Sequence, residues 1–372
     1  MNESIDKYLK KRAVKGPWKI HNTLPPKKYD IVICIPCYRE NDFIFETLES
    51  LNNQNYKNLS QVLVVVVVNN SDIDDLKVIE DNQITFSKLI YNNYNYDLGV
   101  VDAYSDKLSL RKNEAGVGMA RRIGMDLSIK FLRPSSVMCL LDADTIVSEE
   151  YIESILSDYN YKKWNSCTVS FSHRLNIPET KPHIIEYEKL LKETSHHMML
   201  SGSPYFPVPL GPTIICTVES YVAVGGMNKK KASEDFYFLQ ELIKYGNTAL
   251  ISKELVYPSS RTSIRAYLGT GVRMRNCING DLDIDSLYYS SNSYSVLKKW
   301  ISLGSKSYQL SFSDLSKSID LIHPKLKEFL YEFNIYSVWD SLHEAPTKDH
   351  FTQQFHRWFD AFKTRKLLKY FT

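Results

Sequence analysis

Runs of consecutive apolar residues, each about as long as one strand, recur in the first part of the chain. They cover residues 31–35, 62–68 and 137–141, and unbroken apolar runs are typical of parallel strands buried on both faces. Between the first two runs, residues 42–54 carry apolar side chains at helical spacing. This order of strand, helix and strand predicts a βαβ unit, and we expect Pro36 to end the first strand.

Beyond the third run the pattern continues to alternate between strands and helices. We predict strands over 167–171, 214–218 and 249–257, and helices over 119–132, 183–200 and 232–246. Residues 73–96 are polar and rich in tyrosine and permit no assignment, while residues 219–227 indicate a turn. The chain is therefore predicted to contain a basic N-terminal arm (1–28), an α/β domain (29–275) and a mainly helical C-terminal region (276–372).

The composition of the chain excludes few classes of protein. The 372 residues are 43% hydrophobic and 24% charged, which is ordinary for a globular protein, and the net charge of +3 is too small to predict binding to nucleic acid. The first residues are polar and charged, unlike a secretory signal, and the run 62–68 is too short to span a membrane. We therefore expect a cytoplasmic protein.

The six cysteines lie in apolar segments, and only Cys34 and Cys37 form a C-x-x-C pair. A redox motif would favour a helix directly after this pair, and none is predicted there. No second C-x-x-C pair is present to complete a zinc site. We predict reduced, mostly buried thiols.

Two carboxylates follow the third apolar run. Asp142 and Asp144 stand two residues apart where a buried strand ends, so we expect their side chains to meet in one small volume and to repel each other unless a cation lies there. Proteins usually hold Mg²⁺ or Mn²⁺ with one or two carboxylates together with substrate phosphates. The pair therefore indicates a metal site, and the alternative is a strand end that precedes a capped helix.

Further motifs follow the other predicted strands or open predicted helices. IPCYREN ends the first strand, a polar turn with Asn70 ends the second, Arg121 opens a helix beside two glycines, and Glu234–Asp235 opens another. Together with the D-x-D pair, these motifs resemble a family 2 glycosyltransferase of the GT-A type over about residues 29–275. The resemblance implies the α/β fold of nucleotide-diphospho-sugar transferases, with a Rossmann-like mixed sheet flanked by helices and, here, a helical C-terminal extension.

The resemblance also implies a nucleotide pocket. Pro36, Tyr38 and Glu40 would line it, with Tyr38 near the base; the alternative is that Pro36 and Tyr38 are turn and core residues. Asn70 stands where the family usually carries an aspartate that recognises the base. Because an asparagine both donates and accepts hydrogen bonds, uridine and guanosine donors both remain open.

Charged residues complete the implied donor site. Asp142 would contact the ribose, and Asp144 would bind Mn²⁺ or Mg²⁺ that bridges the diphosphate. Arg121, at a helix start beside glycines, is suited to meet a phosphate or a base edge, with Arg122 pointing outward. A solvated basic pair is the alternative.

The catalytic side of the implied site depends on two other segments. The resemblance assigns Asp235 as the base that deprotonates the acceptor hydroxyl, next to Glu234, although acidic residues also favour helix starts for electrostatic reasons alone. Arg261 and Arg265 share a loop with two glycines, so this loop either closes over a diphosphate or is an ordinary basic surface loop.

The implied reaction is metal-dependent transfer of a sugar, of the hexosyltransferase kind, from a nucleotide-sugar donor to a hydroxyl acceptor, with inversion at the anomeric carbon. The acceptor is open among glycans, lipid-linked molecules and small molecules. Alternatives are a retaining GT-A transferase acting on a small phosphorylated or carboxylated acceptor and a catalytically silent GT-A binding module. A nucleotidyltransferase is disfavoured because no G-x-G-x-R loop follows the first strand.

An aromatic stripe lies near the C-terminus. Its members, spaced along a helical pattern and surrounded by basic residues, are Phe351, Phe355, Trp358, Phe359 and Phe362. A helix of this kind either lies on an anionic membrane, here the inner face, or packs on its own domain, and the pattern leaves both open.

Overall fold

The computed structural model describes residues 3–230, 233–264 and 268–372. The chain divides into two compact units. The sheet unit comprises Met1–Ile185 and Pro209–Asp281, and the helical unit comprises Glu186–Val208 and Leu282–Thr372.

The sheet unit contains one mixed sheet. Within the described residues its strands are β1 (Tyr29–Cys37), β2 (Val62–Asn69), β3 (Asp97–Ala103), β4 (Leu132–Leu140), β5 (Ile146–Val147), β6 (Ser166–Phe171), β7 (Ile214–Thr217) and β8 (Thr248–Tyr257). Their order across the sheet is β3-β2-β1-β4-β7-β6-β8-β5. The first four run parallel, β7 is antiparallel to both β4 and β6, and β5 is antiparallel to β8.

Helices cover this sheet on both faces or belong to the helical unit. Among the described residues they are α1 (Glu3–Lys11), α2 (Ile44–Asn52), α3 (Leu76–Tyr91), α4 (Val117–Ser128), α5 (Tyr151–Lys162), α6 (Lys181–Leu200), α7 (Val218–Ala223), α8 (Glu234–Tyr245), α9 (Thr270–Ile278), α10 (Ser291–Lys306), α11 (Phe312–Ile322), α12 (Leu326–Tyr331), α13 (Ile335–His343), α14 (Lys348–Trp358) and α15 (Ala361–Tyr370).

The apolar runs form the centre of the sheet, as the sequence predicted. Every residue of β2 is buried, and each buried valine there contributes roughly 1.5–3 kcal/mol relative to an exposed one. Helix α4 packs on β1 and β2, where Gly124 lies so close that an added Cβ would be 2.4 Å from Cys34 Sγ. All six cysteines are buried and free, which confirms that prediction.

The prediction that Pro36 ends the first strand was wrong by one residue. Pro36 lies within β1 and is paired with Val67, and the strand ends at Cys37. Pairing of β1 with β4 reaches only Cys34. Because Pro36 therefore has a strand neighbour on one side only, its missing N–H is tolerated as it is on an edge strand.

One segment that had no predicted structure is a helix, and one predicted turn is partly a helix. Residues 73–96 include the whole of α3, whose buried side chains are half polar, namely Val78, Asn82, Thr85 and Leu89. Because half of its buried side chains are polar, this helix lacks the continuous apolar stripe by which a helix is identified in a sequence. Residues 219–227 begin with most of α7, which Thr217 caps by accepting a hydrogen bond from the Ser220 amide, and only then turn at two glycines.

The helical unit contains the aromatic stripe. Phe351, Phe355 and Phe359 are fully buried there, and Phe355 and Phe359 pack their rings against Trp300. Trp358 is half-buried, and Phe362 is 39% exposed. The stripe thus packs within its own unit, and contact with a membrane stays a prediction. Among the described residues, no helix has the length and apolar character needed to cross a membrane.

Candidate active site

The carboxyl ends of β1, β4 and β6 lie at one edge of the sheet, because these strands point the same way. Ligands of open α/β sheets bind at this edge. Glu40 follows β1, the D-x-D pair follows β4, and Arg174 follows β6. The topology thus brings charged residues from three strands to one place.

The two aspartates do not share a partner. Asp142 Oδ1 accepts a hydrogen bond from Arg121 Nη2 at 2.5 Å, whereas Asp144 Oδ2 accepts one from Arg261 Nε at 2.6 Å. The expected repulsion between the two carboxylates is therefore offset by two separate guanidinium groups.

Arg121 is the deepest charge of the site. It lies at the start of the second turn of α4, is only 2% exposed, and donates from Nη1 to Glu234 Oε1 at 2.7 Å as well as to Asp142. Burial alone would lower the pKa of this guanidinium, but Asp142, Glu234 and Asp235 raise it above its ordinary value. Arg121 is thus a buried link between the D-x-D pair and the Glu-Asp pair, and its contact with a phosphate or a base edge stays a prediction.

Gly211 makes room for that link. A Cβ added at Gly211 would lie 2.3 Å from Arg121 Nη2 and 2.9 Å from Nη1. The glycine of the GPT sequence after Leu210 therefore leaves the space that the guanidinium occupies, a role that sequence alone did not reveal.

Glu234 and Asp235 open α8, as predicted. Burial raises the pKa of Glu234 to about 7, and Arg121 opposes this shift. Burial also raises the pKa of Asp235, against the lowering effects of Arg121 and of the Phe236 amide, which donates to Asp235 Oδ1 at 2.7 Å. The sequence led us to expect that the helix start would favour ionised Asp235, but here desolvation outweighs the helix end.

Arg261 joins the far side of the D-x-D pair to the loop after β1. Besides Asp144 it donates to Glu40 Oε1, and its guanidinium lies 4.3 Å from the ring centre of Phe43. Glu40 is buried. Arg265, predicted to act with Arg261, lies outside the described residues.

The remaining predicted donor residues lie around this edge. Pro36 and Tyr38 are half-buried at the end of β1. Asn70 is almost fully buried, where its side chain donates to the Ser71 carbonyl and accepts from Asn82 Nδ2. Asn70 is thus part of a hydrogen-bonded asparagine pair beneath the edge rather than an exposed side chain.

Arg174 was missed by the sequence reading. Its Nη1 donates to Glu46 at 2.9 Å and its Nη2 to the backbone carbonyl of Asp144 at 3.2 Å. The signal that selected the aspartates was a charged residue just past a buried strand. Applied to β6, the same signal would have selected Arg174.

The donor atoms of this site fit a hard divalent cation. Each aspartate uses one oxygen for its arginine, which leaves Asp142 Oδ2 and Asp144 Oδ1 as oxygen donors. Among the described residues, no group of three or more His, Cys, Asp or Glu is arranged to hold a metal. Two carboxylates suit Mg²⁺ or Mn²⁺ when substrate phosphates supply further ligands.

Comparison with known families identifies the domain. A sequence model of glycosyl transferase family 2 matches residues 32–207. Residues 32–207 thus form a family 2 glycosyltransferase domain. The matched region includes Glu40, Arg121 and both aspartates. The match and the mixed sheet flanked by helices confirm the predicted family, the GT-A fold and the glycosyltransferase class.

Solved structures similar to this glycosyltransferase include S. aureus TarS 1–349 in complex with UDP-GlcNAc, at TM-score 0.45 and 14% identity, covering 88% of this chain and 89% of that one. A second is mannosyltransferase PcManGT from Pyrobaculum calidifontis in complex with GDP-Man and Mn²⁺, at TM-score 0.42 and 12% identity, covering 94% and 91%. No curated protein sequence matches the chain.

Proposed function

We propose that this glycosyltransferase moves a sugar from a nucleoside-diphosphate sugar to a hydroxyl acceptor, with inversion and with the help of Mn²⁺ or Mg²⁺. The observation that carries the proposal is the charge network in which Arg121 connects Asp142 to Glu234. Arg121 thereby links Asp142, which is suited to bind a donor, to the Glu234–Asp235 pair, which is suited to take a proton.

The donor side of the proposal rests on Asp144 and Arg261. Asp144 and Asp142 would hold the cation through their remaining oxygens, and the ion, when bound, would offset charge on the departing diphosphate as a Lewis acid. Arg261 carries a guanidinium on the loop after β8, suited to bidentate contact with phosphate oxygens. In exchanging Asp144 for phosphate, Arg261 would release the carboxylate that the cation needs.

The acceptor side rests on Asp235. Its carboxylate would take the proton of the acceptor hydroxyl while the acceptor oxygen bonds to the anomeric carbon and the bond from that carbon to the diphosphate oxygen breaks. Glu234 is already engaged with Arg121 at 2.7 Å, which leaves Asp235 as the better base of the pair. One displacement on the face opposite the leaving group inverts the configuration.

A thermal-shift panel of UDP-sugars and GDP-sugars, each with Mn²⁺ and with EDTA, tests the donor class. We expect either the UDP-sugars or the GDP-sugars to raise the melting temperature of the protein, and to do so only with Mn²⁺. Absence of any shift across the panel would contradict the proposal. With the donor known, NMR of the product's anomeric proton distinguishes inversion from retention, and release of nucleotide from the donor excludes a silent binding module.

A further inference from the structure

Arg122 lies in the interior, although the sequence suggested that it points outward. It is 8% exposed, and its guanidinium donates to three backbone carbonyls, those of Met227 at 2.5 Å, Arg12 at 2.6 Å and Gly225 at 3.2 Å. One buried cation therefore joins the segment after α1 to the loop after α7.

The N-terminal segment is itself fixed by a buried carboxylate on α4. Asp126 accepts hydrogen bonds from the hydroxyls of Tyr8 and Tyr221, at 2.7 and 2.8 Å, and from the Val14 amide at 2.8 Å. Tyr8 also lies beneath Gly226, where φ is +78° and an added Cβ would be 2.0 Å from the Tyr8 hydroxyl. The turn at Gly226 thus packs directly against the Tyr8 side chain of α1, which leaves no room for a side chain at position 226.

The loop that begins at this turn leads to the Glu-Asp pair. Asn228 Nδ2 donates to the Glu234 carbonyl at 2.8 Å. Gly118 of α4 lies against the same loop, since an added Cβ would be 2.7 Å from the Lys230 carbonyl oxygen and 2.8 Å from that of Asn228. Helix α4 therefore bonds to Met227 through Arg122, lies against Asn228 and Lys230 at Gly118, and bonds to Glu234, the first residue of α8, through Arg121.

We propose that Arg122 is a positioning residue for the Glu234–Asp235 pair, and that the N-terminal segment, which precedes the family match, belongs to the framework of the active site. The claim that Arg122 affects catalysis rests on the proposed function. The claim that Arg122 fixes residues 225–227 rests on the described contacts alone. Arg122 would act on the pair indirectly, by fixing Gly225 and Met227, which precede the pair in the chain.

Hydrogen–deuterium exchange of the full chain tests the structural part. In Arg122→Gln the carbonyls of the loop lose their cationic donor, so amides of residues 225–238 should exchange faster by roughly tenfold or more, while those of β1 and β2 stay unchanged. Tyr8→Phe should have a smaller effect in the same direction. Arg133→Gln, which removes an exposed arginine paired with Asp30, is the matched control and should change neither region.

Kinetics test the catalytic part, using the nucleotide-sugar that the thermal-shift panel selects. Donor hydrolysis by Arg122→Gln should fall by roughly 10²-fold because the base is displaced, while the Kd of the nucleoside diphosphate with Mn²⁺ stays within about threefold. Arg122→Lys, which keeps the charge, should recover part of the rate. A loop that exchanges at the wild-type rate, faster exchange spread over the whole sheet, or unchanged hydrolysis would each overturn the inference. Failure of wild-type protein to bind any nucleotide would instead refute the proposed function.

Discussion

Arg121 and Arg261 each hold one aspartate of the D-x-D pair, but they are built into the sheet unit in different ways. Arg121 projects from a helix that is buried along nearly its whole length, and Gly211 lies directly against its guanidinium. Arg261 lies on a loop, with a side chain that is 20% exposed against 3% for Arg121. The first arginine belongs to the core, and the second belongs to the surface of the site.

We propose that this difference gives the two aspartates different roles. Asp142 is tied through Arg121 to Glu234, so it belongs to the fixed part of the site. Asp144 is tied to a residue on a loop, and we propose that it is the carboxylate whose partner a cation replaces. We expect substitutions on the Arg121 side to affect folding and catalysis together, and those on the Arg261 side to affect donor binding.

The largest expected effect is on catalysis. Asp235→Asn keeps the size of the side chain but cannot accept the proton, so turnover should fall by about 10²–10⁴-fold. Nucleotide affinity with Mn²⁺, measured by calorimetry on the same protein, should remain that of wild type. Glu234→Gln is the control and should be milder. A larger loss in Glu234→Gln would move the base to that residue, and turnover of Asp235→Asn within about threefold of wild type would refute general-base catalysis at this position.

A smaller effect, on stability, compares the two arginines directly. Arg121→Gln leaves Asp142 and buried Glu234 without their cation and should lower the free energy of unfolding by about 3–5 kcal/mol. Arg261→Gln should cost about 1–3 kcal/mol, since the Arg261 side chain is itself 20% exposed, against 3% for Arg121. Urea denaturation measures both. Equal losses would remove the distinction between a core arginine and a surface arginine.

Gly211→Ala tests the support of Arg121 without removing any charge. The new Cβ would overlap the guanidinium, so we expect a loss of about 1–3 kcal/mol in unfolding free energy together with reduced turnover. Gly99→Ala on β3, where an added Cβ would lie 3.3 Å from the nearest side-chain atom, is the control and should cost much less. A neutral Gly211→Ala would show that Arg121 has room to shift.

The smallest effect is a dependence of stability on pH. Burial raises the pKa of Glu234 to about 7 in the folded protein, whereas an unfolded chain has a glutamate pKa of about 4.3. Between about pH 4.3 and pH 7 the folded state therefore holds a proton that the unfolded state has released. The contribution of Glu234 to stability thus declines as the pH rises through this range. Glu234→Gln should flatten that decline in denaturation curves, and identical pH profiles for the two proteins would contradict the shift.

The central strands and the carboxylates could be predicted because their signals are local. Five consecutive apolar residues before Asp142 indicate both a buried strand and its end. Glu234 was selected because it belongs to an acidic pair just before an apolar helical pattern. The surroundings of α4 could not be predicted this way. Arg121 and Arg122 are adjacent and chemically alike, and both are buried, but by parts of the chain that are distant in sequence. Arg121 lies against Gly211 and bonds to Glu234, whereas Arg122 bonds to the carbonyls of Arg12, some hundred residues earlier, and of Met227, some hundred residues later.

Helix α3 and Arg174 show two other limits. The buried face of α3 contains Asn82, whose side chain bonds to Asn70 and to the Asn69 carbonyl, so a search for apolar periodicity misses it. Arg174 carried a usable signal, its place just past a strand, but the strand order that brings β6 beside the D-x-D edge is a long-range property.

The most direct test of the account is calorimetry of UDP and GDP binding to wild-type protein and to Asp144→Asn, each with Mn²⁺ and with EDTA. Since Asp144 is the aspartate expected to exchange its arginine for a cation, one nucleotide should bind wild type at least about tenfold more tightly with Mn²⁺, a difference of about 1.4 kcal/mol. Asp144→Asn should remain folded and lose that metal-dependent gain. Equal nucleotide affinity in Mn²⁺ and in EDTA, or a gain that survives in Asp144→Asn, would contradict the account.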